Sequence, residues 1–142
     1  MRMLSPLVLV LALGSCADQA ELIRRATYPP DFNYVSGQEL RNNMDQLGYQ
    51  LQRLDLALAP AAAGGAVSRE SVIDALRNIE RIGAGLRAGE GGSNHPFLED
   101  HMADFVVNVG RARIAAMRNP PSYYLAGRVA GGCVNCHRVN RR

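Results

Sequence analysis

Leu40, Met44, Leu47, Leu51, Leu54 and Leu58 recur at alternating steps of four and three residues, and no other feature limits the fold of this chain as strongly. Such steps return side chains to one side of a 3.6-residue helix, so the run predicts a long helix with a continuous apolar seam. Ser36-Gly37-Gln38-Glu39 fits a capping box at its start. Pro60 and Gly64-Gly65 are expected to end it. Three more segments repeat the pattern. Ser68 can cap a second helix bearing Val72, Leu76, Ile79 and Leu86, with Ile73 and Ile82 widening the stripe and Gly83 and Gly85 weakening the last turns. After a loop at 89–93, a third helix begins near His95-Pro96, carries Leu98, Met102, Phe105, Val109, Ala112 and Ala116, and stops at Asn119-Pro120-Pro121. The fourth, from Ser122 onward, places Tyr124, Leu125, Val129, Cys133 and Cys136 at helical spacing, with Gly127, Gly131 and Gly132 making it the weakest. No run alternates with the period of a strand. The expected fold is all-α, an antiparallel up-down-up-down four-helix bundle.

The 142 residues suit one domain, and with no tryptophan its core must be aliphatic. The formal net charge is only +3, and no block of basic residues is interleaved with aromatics, so nucleic acid is not an expected partner.

The start, MRMLSPLVLVLALGSC, reads as an export signal. Arg2 supplies the positive end, and the apolar run Leu7 to Leu13 is far shorter than the roughly 20 residues a bilayer span needs. Leu13-Gly14-Ser15-Cys16 resembles a bacterial lipobox, in which Cys16 would become the lipidated N-terminus; the alternative is ordinary cleavage after Ala17. The expected organisation is a lipoprotein signal peptide at 1–15, a tether at 16–35 stiffened by Pro29-Pro30, and the helical domain at 36–142.

Export sharpens the cysteine count. Besides Cys16 the chain holds only Cys133 and Cys136, within Cys133-Val134-Asn135-Cys136-His137. A zinc site would use both cysteines and His137 but wants a fourth ligand, and the other histidines, His95 and His101, lie far upstream. A redox dithiol normally opens a helix after a strand, whereas this pair closes a helix with no strand before it. The remaining reading is covalent attachment of haem c, for which C-x-x-C-H is the signature. On a helix the three residues sit at i, i+3 and i+4, so two sulfurs can grip the porphyrin edge while the imidazole meets the iron.

An up-down-up-down bundle brings the start of its first helix and the end of its fourth together. Met44 lies on the seam about 10 Å into the first helix, where its thioether can take the sixth iron position opposite His137; alone, a seam methionine is more often core filler than ligand. His101 is the rival ligand, at the same end but beside the apolar stripe. His95 reads as a solvated side chain or cap, and Met102 and Phe105 as core near the haem. Arg138, Arg141 and Arg142 suit propionates, an acidic partner or a basic tail.

The C-terminal CVNCH on a fourth helix, with a first helix reading ELRNNMDQLGYQLQRLD, resembles the class II cytochromes c, the cytochrome c-prime group. The resemblance covers Ser36 to the C-terminus, and CVNCH is its specific part. It implies attachment at Cys133 and Cys136, His137 as proximal ligand, and Met44 as distal ligand in the manner of low-spin members. Arg141 matches a basic residue usual in the family, while Asn140 stands where an aromatic is common. The expected function is a non-enzymatic one-electron carrier held to the periplasmic side of a bacterial membrane by lipid at Cys16, with redox proteins as partners. The alternative is a five-coordinate binder of nitric oxide or carbon monoxide. Relatives often dimerise, and nothing in this sequence forces or forbids a homodimer.

Overall fold

The computed structural model describes residues 20, 22–24 and 26–139. The expected signal peptide at 1–15, lipidation at Cys16, and Asn140, Arg141 and Arg142 lie outside the described residues. The protein is all-α. Helix α1 spans Gly37–Ala62, α2 Arg69–Gly85 and α3 Pro96–Met117; a 3-10 turn, Ala126–Arg128, leads into α4, Val129–Val139. Among the described residues no helix is long and apolar enough to cross a membrane.

The helix starts follow local chemistry. The Ser36 hydroxyl accepts from the Glu39 N–H at 3.1 Å, and that of Ser68 accepts from the Ser71 N–H at 3.3 Å. Pro96 opens α3 at a position whose N–H would have no helical acceptor. Glu99, one turn in, accepts from the Ser93 N–H at 2.7 Å. Helix α1 runs further than its proline suggests, through Pro60 to Ala62. The missing N–H costs little there, because it would have met the carbonyl of solvent-facing Leu56 in the last turns. Gly64, at φ +72°, then reverses the chain. The Gly65 N–H donates to the Pro60 carbonyl at 2.8 Å and the Gly64 N–H to that of Ala61 at 3.2 Å, a Schellman closure.

Contacts fix the helix directions. Arg69 at the start of α2 donates to the carbonyl of Met117 at the end of α3. A side chain at Gly83, near the end of α2, would meet Val106, Met102 and Phe105 in the first half of α3. The two helices are therefore antiparallel. Between them Arg113 Nε donates to Glu80 at 2.6 Å, a bond that raises the guanidinium pKa above its ordinary value. Both side chains are about a quarter exposed (26% and 28%), so the pair contributes roughly 1 kcal/mol or less. Leu54, Leu76, Ile79, Leu98 and Val109 are the centre of the core, drawn from α1, α2 and α3. On α1 only Leu47 and Leu54 are fully buried, while Leu40, Met44, Leu51 and Leu58 are partly covered.

The residues ahead of α1, expected as a tether, are bonded to the α2–α3 connection. The Asn33 N–H donates to the Gly92 carbonyl at 3.0 Å, and its side chain donates to the carbonyls of Gly85 and Arg87 at 3.1 and 2.6 Å. Asn94 satisfies both backbone groups of Val35, each at 2.8 Å, and Val35 is buried. His95, expected to be solvated or a cap, reaches the same carbonyl through Nε2 at 2.9 Å. The start of α1 is thereby tied to the start of α3.

The fourth segment is shorter than its spacing suggests. It is helical only from Val129, after the 3-10 turn, and Tyr124 and Leu125 are exposed rather than packed. Pro120 and Pro121 withdraw two backbone donors in succession, and the Ser122 N–H bonds back to the Ala115 carbonyl at 3.0 Å, folding the chain over the end of α3. Helix α4 lies chiefly along α3 and the 3-10 turn.

Candidate functional site

Helix α4 brings Cys133, Cys136 and His137 together within little more than one turn. Gly132 lets it lie close to α3: a Cβ there would stand 3.0 Å from the Phe105 ring. This contact places the motif beside the first half of α3, near His101 and Phe105.

Two clefts flank the motif. The larger, about 590 Å³, runs between α3 and α4 and includes Cys136, Phe105 and Gly132 in its wall. His101, Asp104, Asn108 and Arg111 form its α3 side, and Arg128 and Asn135 lie across from them. The smaller, about 500 Å³, is bordered by Cys133, Val134, His137 and Arg138. Neither cysteine is in a disulfide, both are half-buried, and His137 is exposed. Burial pushes the Cys133 thiol pKa above its ordinary value, the nearby Cys136 pushes it the same way, and a backbone hydrogen bond partly opposes them. Cys133 is thus a protonated thiol at neutral pH, not an activated nucleophile.

The three donors fan out. Cys133 and His137 border one cleft and Cys136 the other, and among the described residues no three His, Cys, Asp or Glu side chains converge as ligands for an ion. A tetrahedral zinc ion needs such convergence, with sulfurs at about 2.3 Å. A porphyrin takes two sulfurs at separate carbons of its edge and an imidazole at its centre, so a fanned set on one helix suits it. The residue types present are chemically compatible with a covalent haem, which Cys133, Cys136 and His137 would hold.

Comparison with protein-family models, with curated proteins and with solved structures returned no match. The chemistry of the site rests on its own donor set.

The other expected ligands are divided. Met44 packs partly buried against the core and is in the wall of neither cleft. His101 borders the cleft that contains Cys136. Met102 is buried in the core, and Phe105 is both core-packed and part of the larger cleft. Sequence reasoning missed that cleft's polar lining. Its signal was available: His101, Asp104, Asn108 and Arg111 step by three, four and three, a polar stripe beside the apolar one on the same helix.

Proposed function

We propose that the chain is an exported, membrane-tethered c-type cytochrome, a four-helix bundle that holds one covalent haem and passes single electrons. The observation behind this is the fan of two cysteines outside any disulfide and one imidazole on α4, beside a cleft between α3 and α4. Haem c, once attached, supplies a ferric–ferrous couple. The chain's own residues do the rest. Cys133 and Cys136 would fix the ring to α4, and His137, on the same helix, would offer its imidazole. Phe105, against Gly132, offers an apolar wall that excludes water. Met44 is the proposed sixth ligand, whose thioether favours the reduced state and raises the potential. If His137 and Met44 both hold the iron, the haem would pass electrons rather than act on a substrate, and on this reading the protein is a carrier and not an enzyme. Lipid at Cys16 would confine the carrier to the periplasmic face of a membrane, near its redox partners.

The cleft walls favour a second reading. Met44 is absent from both and His101 is present in one. Without Met44 the iron is open to nitric oxide or carbon monoxide, unless His101 closes it. The ferrous absorption spectrum with and without carbon monoxide separates these. The carrier gives sharp low-spin bands indifferent to the gas, and Met44→Ala converts it to a high-spin form that binds the gas at once. A Met44→Ala protein that stays low-spin assigns the sixth position to another side chain, His101 first. A wild-type protein that is high-spin and takes up carbon monoxide is the gas binder.

A further inference from the structure

The residues ahead of Asn33 hold an apolar surface that the fold leaves uncovered. Residues 20, 22–24, 26 and 27 are helical, and each of them is exposed. Leu22 is 68% exposed and Ile23 64%. With Ala26 they fall within about 100° of one another around the helix. A helix this short is marginal in water, so propensity alone does not hold it. The chain after it is tied down. The Thr27 hydroxyl donates to the Arg24 carbonyl at 2.9 Å, and the Phe32 N–H donates to the Pro29 carbonyl at 2.9 Å. Tyr28 stacks on Phe32 at 4.4 Å and on Tyr34 at 5.2 Å, and keeps 37% of its surface in solvent. Asn33 and Val35 then join the domain through their bonds to the α2–α3 connection.

We propose that this segment lies in the interface of a lipid bilayer, with Leu22 and Ile23 turned into it, as a second membrane contact beside the lipid on Cys16; the proposal rests on the anchor in the carrier reading. Reach selects the bilayer. Leu22 is six residues from Cys16, about 20 Å at full extension, so a chain anchored there cannot carry it far from the membrane. Shape agrees. Among the described residues no helix can cross a membrane, but a helix with one apolar face can lie flat with that face among the headgroups and upper acyl chains. Tyr28 follows at the domain end, and tyrosine rings suit the boundary between lipid and water. In the sequence Arg24 and Arg25 are balanced by Asp18 and Glu21. Burial of apolar surface therefore drives the contact, and lipid charge adds little.

The sequence has no tryptophan, so one introduced indole reports on its own position. The test uses the full processed, lipidated protein in phosphatidylcholine vesicles, carrying either Ile23→Trp or, on α1, Leu56→Trp, where the leucine is 75% exposed. Emission from position 23 should shift to the blue and be quenched by lipid brominated along its acyl chains, with little change when phosphatidylglycerol is added. Emission from position 56 should do neither. In the parent protein the amides of residues 22–27 should exchange roughly tenfold more slowly than in Leu22→Ser/Ile23→Ser on the same vesicles. Water-like emission from position 23 overturns the proposal. So does a blue shift that brominated lipid leaves unquenched, which assigns the segment to its own domain or to a second copy. Equal quenching at positions 23 and 56, or quenching only with phosphatidylglycerol, overturns it too. Intact mass reports lipid and haem separately. A chain without lipid removes the anchor and the proposal together, whereas water-like emission from lipidated, haem-bearing protein removes the proposal alone.

Discussion

Cys133 is the residue whose surroundings say most about its use. Half-burial beside a second thiol keeps it protonated where an exposed cysteine, with a pKa near 9.0, has begun to ionise. Alkylation requires the thiolate, so in folded, haem-free protein iodoacetamide should modify Cys133 more slowly at pH 8 than it modifies the same cysteine in the urea-unfolded chain. The gap should narrow as pH rises through the elevated pKa. Equal rates at pH 8, followed by peptide mass mapping, would show that burial does not act on this thiol. His101 and Met44 make the opposite point. Sequence spacing favoured Met44 because it lies on the seam, but a seam position states only that a side chain turns inward. The cleft beside Cys136 is bordered by the polar edge of α3, which apolar periodicity does not report.

At the scale of elements, the helices were largely legible and their ends less so. The seams of α2 and α3 match the buried residues nearly position for position, because aliphatic side chains at 3.6-residue spacing have one way to leave water. Pro60 misled because a proline in the final turn removes a bond that solvent replaces. Tyr124 and Leu125 misled because two apolar residues ahead of Val129 can imitate a period that two prolines upstream do not allow to start. Gly83, read as a weak point of α2, is where α2 and α3 come close: a Cβ would stand 2.9 Å from Val106 Cγ2. Gly83→Ala should therefore destabilise the fold by about 1–3 kcal/mol despite alanine's better helix propensity. Urea unfolding measures this, and an unchanged or raised midpoint would mean that the helices separate freely. The docked segment before α1 was not legible at all, since it depends on Asn33 and Asn94 bonding backbone more than 50 residues away. Asn94→Ala leaves the Val35 N–H without its acceptor, while His95 still reaches the Val35 carbonyl, and should cost roughly 1–3 kcal/mol, read in the same experiment and with faster amide exchange at Val35.

The whole molecule divides its labour by region. The packing of α1, α2 and α3 supplies a core, and α4 lies along α3 carrying Cys133, Cys136 and His137. The proposed cytochrome needs that division, because a carrier must hold its cofactor on a rigid frame yet leave an edge within reach of partners. Everything proposed for the site depends on thioether bonds at Cys133 and Cys136, and intact mass spectrometry of the exported, denatured protein tests them directly. The account predicts one species carrying a single haem above the mass of the processed polypeptide, with Cys133→Ala/Cys136→Ala returning to the polypeptide mass. A colourless wild-type protein at the bare polypeptide mass, recovered from cells that mature other c-type cytochromes, would contradict it.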